Sequence, residues 1–450
     1  MNDSTLALIF TNCFPNPLDT TVHFTDAKAT ADIDSFVVTG DINAMWLRDA
    51  TNQLLPSASF LQEDQKMQRM FIGAINREAR SVLIDPYANA FTHHSEGSPW
   101  KTDDRIPKMT KDLWEGKYEL DSLCAFLSLS ASFYEHTGLG TPFDDRWAKA
   151  VQTVVHVFTL MQASSMETLA APAYQFSRQT GNPLDTLQGQ TGAPAARCGL
   201  IRSAFRPSDD AATYQFSIPS NAMAAVSLER VAAIFEKVRG DSATGQQLRA
   251  MAAQLRAAIA SQGIVTRNGA TVYAYEVDGF GNAIVMDDAN VPSLLALPYM
   301  GFCSPQDPIY LRTRALLLSA QNPYYFKGSV MEGIGGPHAV PMKVEHEQGL
   351  ILVCVFIFMF YVTDECRGIV GLGWVWPMSL ILRGLTSTDD REIAACLATL
   401  RDTTDGKFFM HESIWMNDQT KWTRSWFAWA NALFGELIIK VAAERPHLLH

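Results

Sequence analysis

A mainly α fold, arranged as a helical toroid or as stacked helical hairpins with small β-hairpins at its rim, is what the 450-residue sequence predicts. Three observations carry that prediction. Apolar residues recur at three- and four-residue spacing along most of the chain, the period of helices that bury one face. Strand signals are few and sit beside turn dipeptides. Strands and helices do not alternate, so nothing argues for a parallel sheet.

In chain order, the first helical run holds Met67, Phe71, Ala74, Ile75 and Val82. Leu123, Phe126, Leu127 and Phe133 form the second, and Trp147, Val151, Val154 and Phe158 the third. The same period continues through Val226, Ile234 and Phe235, then Leu248, Met251, Leu255 and Ile259. It closes with Ile393, Leu397 and Leu400, and with Trp429, Leu433 and Leu437. Strands are expected at SFVVTGD from Ser35 and along IVTRNGATVYAYEVDGFGNAIVM from Ile264, where Asn268-Gly269 and Asp278-Gly279 are hairpin turns between apolar runs. No fixed-period repeat marks a solenoid. No stretch has linker composition, so residues 1–450 read as a single domain.

Composition narrows the function. With 47% hydrophobic and 18% charged residues the chain has material for a large core. Lys and Arg number 36 against 47 Asp and Glu, a net charge of −11, and no basic stripe offsets it, so nucleic acid and anionic membrane are not expected partners. Seven cysteines, at 13, 124, 198, 303, 354, 366 and 396, are widely spaced and form neither a CxxC pair nor a zinc quartet. The first residues lack a basic and then long apolar leader, so the chain reads as intracellular as written; a longer N-terminus would leave the secretory pathway open. The apolar run GLILVCVFIFMFYV, Gly349 to Val362, is shorter than the ~20 residues a spanning helix needs.

Chemistry is concentrated in the joints between helical runs. These are TGDINAMWLRDATNQ (Thr39–Gln53), SVLIDPYANAF (Ser81–Phe91), DLWEGKYELDS (Asp112–Ser122) and SAFRPSDDAATYQFSIPSNAM (Ser203–Met223), then GIGGPH (Gly333–His338), VWPMS (Val375–Ser379) and HESIWMND (His411–Asp418). Each mixes aromatics with acids, amides or an arginine, as a sugar site requires: rings for the apolar face of a pyranose, polar groups for its hydroxyls. The same mixture serves structural caps and turns, and Arg48 with Asp49 also reads as a buried structural pair. In FRPSDD, Asp209 and Asp210 either cap a following element or supply a general acid; in HESIW, Glu412 is either a helix-start acid or a base. No metal motif, phosphate-binding GxxxxGK[ST] loop, dinucleotide turn or GxSxG elbow is present, so neither a metal, a nucleotide nor a cofactor is expected. Paired carboxylates remain, and two acids flanking a bond hydrolyse a glycoside.

These clusters, with NCFPNPLDTTV from Asn12 and TRSWFAWANALFGELI from Thr423, resemble glycoside hydrolase family 125, the exo-acting α-1,6-mannosidases, whose fungal branch is labelled meiotically up-regulated. The resemblance spans almost the whole chain. It implies an (α/α)6 toroid of the six-hairpin glycosidase type, and an inverting mechanism that needs no metal. The substrate it implies is an α-1,6-linked mannooligosaccharide or an N-glycan, trimmed of a terminal mannose. The general acid then lies in the SDD motif, Asp209 or Asp210 with Asp209 favoured, and the general base is Glu412. Trp46, Arg48, Asp49 and Gln53 are expected to grip the terminal mannose, with Arg206, Asn221, His338, Trp376 and Arg424 as further contacts from matched motifs. Two alternatives stand beside this: a glycosidase of other sugar specificity, and a catalytically impaired glycan-binding protein of the same fold.

One departure from the family pattern is an atypical insertion at about residues 345–375, between GGPH and WPMS, where the family runs almost directly on. It reads as a retained intron translated in frame or as a true surface insertion.

Overall fold

The computed structural model describes residues 3–338 and 372–449. The apolar run and most of the expected insertion lie outside these residues. Among them are twelve helices: α1 (Ser4–Cys13), α2 (Asn16–Thr20), α3 (Leu47–Leu54), α4 (Gln65–Ile84), α5 (Leu120–Thr137), α6 (Asp145–Met161), α7 (Ile218–Lys237), α8 (Ser242–Gln262), α9 (Pro308–Leu317), α10 (Pro377–Leu385), α11 (Asp390–Asp402) and α12 (Ala428–Glu444). They form an (α/α)6 toroid. Neighbouring inner helices touch in the order α10, α12, α3, α5, α7, and α1, α4, α6, α8 and α11 back them from outside.

The helix faces explain the two layers. Inner helix α5 is buried without interruption from Leu120 to Phe133, as a helix walled on all sides must be. Outer helix α8 buries only Gly245, Leu248, Ala252, Leu255, Ala258 and Ile259, one stripe at three- and four-residue spacing. Side-chain caps start the outer helices: Asp64, Asp144 and Asp241 each accept a backbone N–H from the first turn of α4, α6 and α8. Gly138, at φ +67°, ends α5 in the left-handed conformation that only glycine adopts freely. No helix among the described residues is long and apolar enough to cross a membrane.

The strands are very short and occur where expected and elsewhere. Asn268-Gly269 joins strands Ile264–Arg267 and Ala270–Tyr273, and the Ser35 region forms Asp34–Val37 against Val22–Thr25. Three further small sheets lead into the inner helices: Met45–Trp46 runs into α3, Phe216–Ser217 into α7 and Trp374–Val375 into α10. The last falls within the stretch read as an insertion. It pairs with Ile414–Trp415, next to Glu412, and is therefore a working part of the fold.

Candidate active site

The N-termini of inner helices meet at one end of the toroid. Trp46, Glu119, Trp376 and Phe427 are the residues immediately before α3, α5, α10 and α12, and side chains from these starts converge. Trp46, Arg48, Asp49, Asp209, His338, Trp376, Glu412 and Arg424 line one narrow pocket, together with Asn290, Phe427 and Trp429.

Arg48 is its electrostatic centre. Leu47, Ala50 and Leu54 of α3 go into the core, and the buried Arg48 guanidinium meets four carboxylates from three parts of the chain. Nη1 donates to Glu119 Oε2 at 2.6 Å and Asp121 Oδ2 at 3.2 Å; Nη2 lies 3.0 Å from Asp209 Oδ1 and 3.5 Å from Asp49 Oδ2. One cation does not keep four buried carboxyls ionised. Burial pushes Asp49 and Asp121 up to about 6, against the pull of Arg48. It pushes Glu119 well above the usual carboxylate range, with Arg48 opposing and the Asp209 charge adding to the rise.

Asp209 goes the other way. Burial raises it, but Arg48, a hydrogen bond with the Glu119 carboxyl, Lys117 and His338 together hold it well below the usual range. Two carboxyls that hydrogen-bond share a proton between them. Asn89 Nδ2 donates across the same pair, 3.0 Å from Glu119 Oε1 and 3.3 Å from Asp209 Oδ1.

The Asp209 loop is a tight hairpin. Phe205 bridges Ala211, the Arg206 N–H donates to the Asp210 carbonyl at 2.7 Å and the Asp209 N–H to the Arg206 carbonyl at 2.9 Å. Asp209 at its tip has φ +64°, a left-handed conformation uncommon outside glycine and frequent at functional sites. Lys117 Nζ donates to the Asp209 carbonyl at 2.7 Å and fixes the tip. Asp210 faces away, accepting from Ser208 Oγ at 2.9 Å and lying 3.3 Å from His338 Nδ1. Burial lowers His338, yet Asp210, Glu412 and Asp209 around it lift it to about 9.

On the other wall, Glu412 is buried. Its Oε1 lies 3.1 Å from Arg424 Nε and its Oε2 accepts from Thr423 Oγ1 at 2.8 Å. Arg424 also pairs with Asp41 at the rim. Aromatic rings complete the pocket: Trp376 meets His338 and Phe427 edge-on, and Arg48 lies over Trp429. The buried Nε1 atoms of Trp46 and Trp429 and Nε of Arg48 have no protein acceptor among the described residues. They are donors placed where a polyhydroxylated ligand supplies acceptors.

Three expected sugar contacts are not brought to the pocket. Gln53, at the far end of α3, accepts from Thr21 Oγ1 at 2.9 Å. Arg206 is held away by a two-pronged pair with Glu276, Nε to Oε1 at 2.5 Å and Nη2 to Oε2 at 2.9 Å. Asn221 stitches α7 to the Ile201 backbone, accepting at 2.8 Å and donating at 2.9 Å. Conversely, Asn89, Lys117, Glu119 and Asp121 lie inside the DPYANAF and WEGKYELDS clusters, yet sequence reasoning does not single them out. Their signal is the density of acids and amides beside Gly and Tyr, which does not say which of them face the pocket.

Toroid and pocket together define the class, that of the (α/α)6 glycosidases. A family model described as metal-independent α-mannosidase (GH125) matches residues 3–346 and 361–439. A Schizosaccharomyces pombe protein called meiotically up-regulated gene 157 protein is 38% identical over all of this chain and 84% of its own length. A Streptococcus pneumoniae structure described as a metal-independent α-mannosidase in a non-productive complex with α-1,6-mannobiose is 34% identical. It superposes with a TM-score of 0.85 over 99% of this chain and 95% of that one. A bacterial glucoamylase complexed with acarbose shares the fold alone, at 13% identity and a TM-score of 0.53 over 88% of this chain and 48% of that one. The chain belongs to glycoside hydrolase family 125, the metal-independent α-mannosidases.

Proposed function

We propose that the protein is an exo-acting, inverting α-1,6-mannosidase that removes the terminal mannose from an α-1,6-linked mannooligosaccharide or N-glycan. The observation that carries this reading is the presence of Asp209 and Glu412 on one pocket lined by Trp46, Trp376, Phe427 and Trp429. The pneumococcal relative's complex with α-1,6-mannobiose supports the linkage.

In this mechanism the Asp209–Glu119 pair, which carries one proton, protonates the glycosidic oxygen through Asp209 as the bond to the anomeric carbon breaks. A water on the opposite face attacks that carbon, and Glu412 takes its proton. The new C–OH bond forms with inverted configuration. Arg48 keeps Asp209 from losing its place after the proton leaves, because the resulting carboxylate is the state Arg48 prefers. Arg424, 3.1 Å from Glu412 Oε1, and the Thr423 hydroxyl hold that carboxyl in position to take the proton. The Trp46, Trp376 and Phe427 rings give the sugar its apolar contact. An inverting pair is expected ~6.5 to 9.5 Å apart, to leave room for the water.

Proton NMR of the reaction with α-1,6-mannobiose tests this directly. β-Mannose as the first product supports both activity and inversion; α-mannose first rejects inversion. Binding without release favours the glycan-binding alternative.

A further inference from the structure

A second cavity, of about 380 Å³, lies behind the Asp209 hairpin, walled in part by Tyr118, Arg202 and Gln215. Its charge is unusual. Five arginines are buried among the described residues: Arg48, Arg105, Arg178, Arg202 and Arg206. Four of them pair with carboxylates. Arg202 has only two long contacts, Nε to the Met161 carbonyl and Nη2 to Thr168 Oγ1, both 3.4 Å, and no carboxylate partner among the described residues. A buried guanidinium without a counter-ion is costly unless something supplies the missing charge.

The other polar groups nearby do not supply it. The Gln215 amide is spent donating to the Thr191 and Ala193 carbonyls. The Tyr118 hydroxyl is sealed in and has no partner among the described residues. The floor of the cavity therefore offers one charged donor, the Arg202 guanidinium. The mouth is apolar: Met166, Leu169 and Phe280, exposed by 74%, 65% and 63%, are the three most exposed large apolar side chains among the described residues, and all three line this cavity. Single exposed apolar residues are ordinary, but a cluster around a concavity marks a contact site.

We infer that this cavity binds a small amphipathic monocarboxylate of the fatty-acid type, its carboxylate on Arg202 and its hydrocarbon body against Met166, Leu169 and Phe280. A volume of about 380 Å³ suits a ligand of small-molecule size. A bare inorganic anion would leave the apolar mouth unused, and a neutral lipid would leave Arg202 unpaired. The site is separate from the sugar pocket, so the inference stands independently of the mannosidase reading.

Calorimetric titration of the full chain with octanoate, octanol and acetate tests it. Octanoate is expected to bind at least ~tenfold more tightly than either control, the factor a charge-assisted hydrogen bond supplies. Arg202→Met is expected to reduce octanoate to the affinity of octanol. Leu169→Ser and Phe280→Ser, at exposed positions that do not hold the fold, are expected to weaken octanoate in a protein with an unchanged circular dichroism spectrum. Equal affinity for octanoate and octanol overturns the inference, as does full octanoate affinity in either serine variant, or no octanoate binding at all.

Discussion

Asp209 and Glu412 stand on opposite walls of one pocket, each beside an arginine, and substitution should separate their roles. Asp209→Asn and Glu412→Gln are each expected to lower kcat on α-1,6-mannobiose by at least ~100-fold, since general acid and base catalysis supply that much. α-Mannosyl fluoride, whose leaving group needs little protonation, should be spared by Asp209→Asn and not by Glu412→Gln. Glu119→Gln keeps a hydrogen-bond donor beside Asp209 but removes the shared proton. It is expected to follow the Asp209→Asn pattern, slow on mannobiose and nearly normal on the fluoride; equal losses on both substrates would mean Glu119 only shapes the pocket. The residue types at this site were legible from sequence, because acids, aromatics and an arginine recur at the helix joints. Side-chain direction was not. Asp49 and Gln53 are one helical turn apart on α3, yet Asp49 faces the pocket and Gln53 faces Thr21. Asp209 and Asp210 are adjacent, and only the positive φ at the first turns one in and the other out.

At the level of elements, the hairpin that carries Asp209 depends on a pair remote from the sugar. Glu276, on strand Glu276–Val277, takes both prongs of Arg206 and also accepts the Thr213 and Tyr214 N–H groups at 3.1 and 3.0 Å. Arg206→Ala leaves that carboxylate buried and unpaired, which costs about 3–5 kcal/mol. Urea denaturation should show a loss of that size, and Arg206→Lys should not restore it, because a lysine lacks the fork. Unchanged stability in Arg206→Ala would reject this pair as an anchor of the hairpin. The long helices were legible because their apolar period runs over several turns. The strands that deliver Trp46, Phe216 and Trp374 to the inner helices are two residues long, too short for any alternation to register. What places the site, the convergence of helix N-termini, is a property of the closed ring and leaves no local mark. It also has an electrostatic effect, since the positive ends of α3 and α5 face Asp49 and Glu119.

For the whole molecule, buried acids away from the pocket shape stability against pH. Glu78 on α4 accepts from Thr51 of α3 at 2.9 Å, and burial lifts it to about 8 from an ordinary 4.5. The folded protein therefore holds that proton more tightly than the unfolded chain does. The contribution is fully present below about pH 4.5 and is lost as pH rises through about 8. Asp287, which accepts the Leu294 and Leu295 N–H groups, is lifted to about 8 in the same way. Thermal unfolding should show Tm falling between pH 5 and 8. Glu78→Gln should be the more stable protein at pH 9, by up to a few kcal/mol, and should have no advantage at pH 4. An advantage independent of pH would reject burial of that carboxyl as the cause.

The described residues that flank 339–371 meet at one spot on the toroid. The Trp376 N–H donates to the Ile334 carbonyl at 3.2 Å, and Gly335 sits so close to the Trp374 carbonyl that a side chain there would collide with it. Joining two points that already stand together depends little on how much chain joins them, because the entropy of closing a loop rises only with the logarithm of its length, about 0.6 kcal/mol per doubling. The length of chain that joins these two points is therefore only weakly constrained by entropy. Splicing residues 339–371 out should leave a protein that folds, in which any change in turnover reports on those residues themselves.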